Sequence, residues 1–248
     1  MLHNFARVAS LVLILSWFFA ISTDAAAVRG RVYLHKKPDF PEENPYAKNQ
    51  FRTDLRFSKW HMHRRFESSR LKNYDNPTDA VVYLSSIPEP YRMQDTPTQT
   101  PAVICIENAR FHPRTMPIMQ GTAIEFVNKD PVYHDVYSFS ATHAFQTPFF
   151  KEWSAFTTFK KPGGATLHSS VYQDMNAHIL VLEHPWFTKP RDNGYYHIRN
   201  IRPGIYKVTA WHPDFPPVTK DIEINYSETI TIDFHFSVAE LPETIVKE

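Results

Sequence analysis

The sequence predicts an all-β protein. Three observations carry that prediction. The chain is rich in strand-forming rings, with aromatic residues at 15%. It holds 20 Pro in 248 residues and little Ala-rich sequence after its first residues. Its apolar runs are short and closely spaced, and Pro, Gly, Asn and Asp separate them, which is the pattern of a β-sandwich or of two. A hydrophobic fraction of 42% and a formal net charge of +1 exclude a disordered chain and leave ample surface for a core. Near-neutral charge argues against non-specific nucleic-acid binding. A single Cys excludes an intramolecular disulfide framework and a Cys-rich zinc site.

The elements follow in chain order. His3 and Arg7 precede an apolar run of 14 residues over 8–21, and Ala25, Ala26 and Ala27 close the segment. A basic start, an apolar middle and a small-residue exit predict a signal peptide over 1–27, cleaved after Ala27; the alternative is an uncleaved anchor helix. No run reaches 18 apolar residues, so a soluble periplasmic or secreted protein without a transmembrane anchor is expected after cleavage. Residues 28–34 alternate and predict a strand. Residues 35–48 predict a loop. The stretch 49–73 carries seven basic residues against two acidic ones, with Phe51, Leu55, Met62 and Phe66 at helical spacings. It reads either as a docking surface for an acidic partner or headgroups, or as a solvated insertion over a sheet edge. Residues 80–84 form an apolar strand, and 88–101 a Pro-rich loop. Strands are then predicted at 102–106, 115–118, 122–128, 135–140, 156–159, 165–168, 177–182, 195–198, 204–211, 219–225 and 229–236.

Two stretches carry a family resemblance. Residues 121–130 (GTAIEFVNKD) and 134–140 (HDVYSFS) resemble cupredoxin-like domains of bacterial periplasmic proteins of the plastocyanin or methylamine-utilisation type. Asn128 and Asp130 would pin the strand end by side-chain to backbone bonds. Residues 161–165 (KPGGA), 175–182 (MNAHILVL) and 184–187 (HPWF) resemble the final loop and closing strand of the same family. A third stretch, 193–213 (NGYYHIRNIRPGIYKVTAWHP), together with VRGRV at 28–32, resembles the carboxypeptidase regulatory-like, transthyretin-type sandwich. The resemblances imply a discontinuous sandwich over 28–100 plus 185–248, with a cupredoxin-like Greek-key sandwich at 101–184 inserted into it.

The cupredoxin resemblance implies a copper site of two His, one Cys thiolate and a weak axial Met. His134 takes the first His position and Met175 the Met position. Tyr172 stands at the second His position and Ser169 at the Cys position, so two of the four ligands are absent. Cys105, within an apolar strand, reads as a buried small hydrophobe. His168 and His178 crowd the same loop and complete a candidate metal set of His134, Met175, His168 and His178. Imidazole with thioether suits copper better than zinc or calcium. Against this stands a degenerate domain that keeps the fold without metal. His61 and His63 read as solvated polarity, and His212 as a structural His. Trp186 and Phe187 are expected where the two modules meet.

Signatures for hydrolase elbows, P-loops and zinc proteases are absent, so no enzyme is predicted. Two functions remain. One is a non-catalytic envelope interaction module without a cofactor, whose partner is an unknown envelope protein or polysaccharide. The alternative is a copper-binding or copper-carrier protein with a non-blue His/Met site.

Overall fold

The computed structural model describes residues 26–35, 77–88 and 99–237. Of the expected signal segment 1–27, residues 1–25 lie outside the described residues, as does the basic stretch 49–73, whereas Ala26 and Ala27 form the buried start of the first strand. The described elements are seventeen strands and one 3-10 turn at Pro77–Asp79. The strands are β1 (Ala26–His35), β2 (Val81–Ser86), β3 (Ala102–Ile106), β4 (Phe111–His112), β5 (Thr115–Met119), β6 (Ala123–Asn128), β7 (Tyr137–Ser140), β8 (His143–Gln146) and β9 (Ala155–Thr158). They continue as β10 (Gly163–His168), β11 (Asn176–Leu182), β12 (Phe187–Thr188), β13 (Tyr195–Ile201), β14 (Gly204–His212), β15 (Phe215–Ile224), β16 (Thr229–Thr231) and β17 (Phe234–Ser237). Across the described residues the fold is all-β, as the sequence predicts.

Four sheets form two sandwiches. In the first, β13, β1, β16 and β17 make one layer, and β12, β2, β14 and β15 the other. Inward positions alternate along each strand, as the period of two requires. Val28 and Val32 of β1, Ile198 of β13 and Phe234 and Phe236 of β17 meet Val82 and Leu84 of β2 and Tyr206, Val208 and Ala210 of β14 in one apolar core. Gly30 has a steric reason: a Cβ there would sit 1.7 Å from the carbonyl oxygen of Ile232, so only Gly lets the chain between β16 and β17 cross β1 this closely. That carbonyl also accepts the buried Tyr196 hydroxyl at 2.6 Å.

In the second sandwich, β5, β11, β10, β7 and β8 face β4, β3, β6 and β9. Its separate core joins Ala165, Leu167, Ala177, Ile179 and Val181 to Ile104, Ile106, Ile124 and Phe126. β3 and β6 pair in parallel, as do β5 and β11. The two sandwiches touch through outward faces: Val81, Tyr83, Phe187 and Trp211 pack on Leu180 and Leu182 of β11. Beside this seam Arg114 bridges Asp79 at 2.8 Å and Asp214 at 3.0 Å, and Lys189 donates to the Thr115 carbonyl at 2.6 Å.

Three expectations change. The strand expected over 229–236 is two, β16 and β17, both parallel to β1. Trp186 is not at the seam; it turns into the first core while its neighbour Phe187 turns out. Cys105 is half-buried rather than buried, because alternation sends Ile104 and Ile106 inward and Cys105 to the other face of β3.

Candidate functional site

Four loops meet at one end of the second sandwich, and polar side chains tie them together. β6 ends at Asn128, whose side-chain amide donates to the carbonyls of Val132 and Phe150 at 2.8 and 2.9 Å. The Asp130 carboxylate accepts the backbone N–H groups of Asn108 and Ala109 at 2.6 and 2.9 Å. Asn128 and Asp130 thus pin the strand end as the sequence suggests. Burial alone pushes the Asp130 carboxyl up, but these N–H groups and the His134 ring outweigh it and hold it below its ordinary value.

His134 is fully buried and exchanges backbone bonds with Phe150 at 2.8 and 3.1 Å. Its ring Nε2 lies 3.0 Å from Asp130, while Nδ1 has no hydrogen-bond partner. The adjacent Asp135 is the second knot. It accepts Gln146 Nε2 at 3.1 Å, Ser169 Oγ at 3.3 Å, and the Ser170 N–H and Oγ at 2.8 and 2.9 Å. One buried carboxylate therefore fixes β8 and the loop after β10 against the start of β7. Sequence reading overlooked Asp135, although a carboxylate directly after the key His, with a Ser-Ser pair opposite, is a legible signal.

The four expected metal ligands do not converge. Met175 is buried in the second core, and Tyr172 packs on that core with its ring 5.7 Å from His134. His168 and His178 lie across the sheet. In β10 Ala165 and Leu167 point inward, and in β11 so do Ala177 and Ile179. Parity then puts His168 and His178 on the outer face. There His168 stacks on Tyr137 at 5.5 Å, and His178 Nδ1 lies 3.4 Å from Thr166 Oγ1. Burial, helped by Arg114, pushes His178 down to about 4. Its Nε2 and the Oγ1 of its strand neighbour Thr115 are both buried without a hydrogen-bond partner.

The donors on the inner side do not fit a type 1 copper centre. There is no thiolate, and Ser169 Oγ is committed to Asp135. What remains is one unpartnered imidazole nitrogen and one thioether. Among the described residues no group of three or more His, Cys, Asp or Glu is placed to hold a metal ion.

Around this knotted base the loops expose large apolar side chains. Tyr133, Phe149 and Trp153 are exposed to 59%, 54% and 51%, and Val132 and Val171 are exposed beside them. The Trp153 ring leans on buried Phe150 at 5.6 Å. At the opposite end of the sheet a cleft of about 480 Å³ lies between Phe139, His143, Lys160 and Lys161.

No protein-family model matches the chain, and no curated protein matches it. Similar solved structures are cupredoxins. A copper-containing nitrite reductase from Thermus scotoductus shares 24% identity over 36% of this chain and 26% of that one, with a TM-score of 0.33. A reduced Cu(I) amicyanin variant shares 16% identity over 41% of this chain and 98% of its own, with a TM-score of 0.32. A purple cupredoxin from Nitrosopumilus maritimus shares 19% over 33% of this chain and 99% of its own, with a TM-score of 0.30. This chain thus spans about a quarter of the nitrite reductase.

Proposed function

We propose that this chain is a non-catalytic interaction module of the cell envelope or extracellular space, docking its partner through the loop end of the second sandwich. The observation that carries this reading is the exposure of Tyr133, Phe149 and Trp153 over a base fixed by Asp130, His134 and Asp135. Exposed rings on a fixed base offer large contact area with little loss of conformational freedom on binding. Aromatic residues of this kind anchor protein interfaces, and Trp and Tyr are the commonest hot spots. The triple variant Tyr133→Ser, Phe149→Ser, Trp153→Ser is expected to lose crosslinked partners in an envelope extract while keeping the wild-type circular dichroism spectrum. Undiminished crosslinking of the same species contradicts the reading. Deleting 49–73 in parallel separates a contribution of the basic stretch.

One observation favours a second reading. A fully buried His134 with an unpartnered Nδ1 gives up about 1–3 kcal/mol of hydrogen bonding. A non-blue copper site using His134 Nδ1 and the Met175 thioether would recover it. Stoichiometric Cu(I) binding that disappears in His134→Ala supports this second function; no binding, or binding unchanged in His134→Ala, rejects it.

A further inference from the structure

Far from the loop end, the first sandwich carries a histidine pair on its outer surface. β1 and β17 run parallel, with Tyr33 opposite His235 and His35 opposite Ser237. Tyr33, His35 and His235 therefore project from the same face of the sheet. His35 and His235 are exposed, and His35 Nε2 lies 2.8 Å from His235 Nδ1. The two rings are nearly coplanar, 12° apart, and Tyr33 stacks on His235 with centroids 4.8 Å apart. This is a shared-proton pair: one ring donates its N–H and the other accepts it.

We propose that His35 and His235 form a two-imidazole site for one tetragonal divalent cation, copper(II) ahead of nickel(II), which takes the place of the shared proton. The donor set, two imidazoles with the remaining positions open to solvent, selects the class of ion. Two metal–nitrogen bonds of about 2.0 Å at a right angle set their nitrogens about 2.8 Å apart, whereas a tetrahedral angle opens them to about 3.3 Å. The two rings face each other head-on across the shared proton, so a cis site requires each exposed ring to turn by about 45° until both lone pairs meet at one ion. The proton balance is simple. The donor ring moves its proton to its distal nitrogen, leaving His35 protonated on Nδ1 and His235 on Nε2, and both facing nitrogens free to bind. Solvent completes the square. Among divalent first-row ions copper binds such nitrogen donors most tightly.

The purified full chain is titrated with copper(II) supplied as a glycine complex, and the bound ion is read by electron paramagnetic resonance. A tetragonal signal with nitrogen splitting is expected. His35→Ala and His235→Ala are each expected to weaken binding by at least about tenfold. Both positions are exposed, so these variants are expected to fold as wild type. His134→Ala is expected to leave this signal unchanged. Unaltered binding in both His35→Ala and His235→Ala overturns the proposal, as does a signal removed by His134→Ala alone. The copper(I) reading at His134 is tested separately, so the two readings fail independently.

Discussion

The two sandwiches share an all-β plan, yet they handle buried polarity differently. In the first, the large rings of the core direct their polar atoms to backbone groups. The Tyr196 hydroxyl donates to Ile232, the Trp186 indole to Asn200 at 3.1 Å, and the Tyr206 hydroxyl to Arg202 at 2.8 Å. In the second, side chains answer side chains at one end, through Asp130 with His134 and Asp135 with two serines and Gln146. Backbone-directed bonds fasten a scaffold. A side-chain knot beneath exposed rings fixes the shape of loops, which is where binding surfaces are built. Under the proposed function, the first core supports and the loop end of the second recognises.

The largest expected effect contrasts one glycine from each sandwich. Gly30→Ala places a methyl 1.7 Å from a carbonyl oxygen and is expected to cost at least about 4 kcal/mol, or to prevent folding. Gly164→Ala meets nothing within 4 Å and is expected to stay within about 0.5 kcal/mol of wild type in urea unfolding. Acid comes next. Burial holds His178, beside the seam, and His212, in the first sandwich, down to about 4 in the folded protein. Between the ordinary value of about 6.5 and about 4 the unfolded chain therefore binds more protons than the folded one. Stability is expected to be flat above this window and to fall as pH falls through it, by up to about 3 kcal/mol for each histidine. His178→Asn should make that fall shallower in pH-dependent unfolding. Asp135→Ala strands four donors at the knot and is expected to cost about 2–3 kcal/mol, with Asp135→Asn milder. The smallest effect on stability is that of the exposed-ring triple variant, within about 0.5 kcal/mol per position.

Most of the strand order is legible in the sequence because alternation marks inward positions, as in β10 and β11. The missed strands β4, β8 and β12 are two to four residues long, too short for a period of two to stand out. The break between β16 and β17 is set by the chain passing Gly30, a tertiary contact with no local signal. At the site, His134 and Met175 are legible as buried residues of one core end. His168 and His178 mislead because spacing along a chain does not show which face of a sheet a residue takes, and one residue of parity moves a side chain across it. The Asp135 knot joins residues 35 positions apart and becomes visible only when β7 and the loop after β10 are brought together.

The most direct test places a photo-crosslinking residue at Trp153 in one protein and at Ile205 in another. Both positions are exposed, Trp153 at the loop end of the second sandwich and Ile205 on β14 of the first at 72%. Discrete crosslinked partners are expected from Trp153, lost when Tyr133 and Phe149 are replaced by Ser, and only background from Ile205. Equal crosslinking from both positions, or a partner captured from Ile205 alone, contradicts the proposed function.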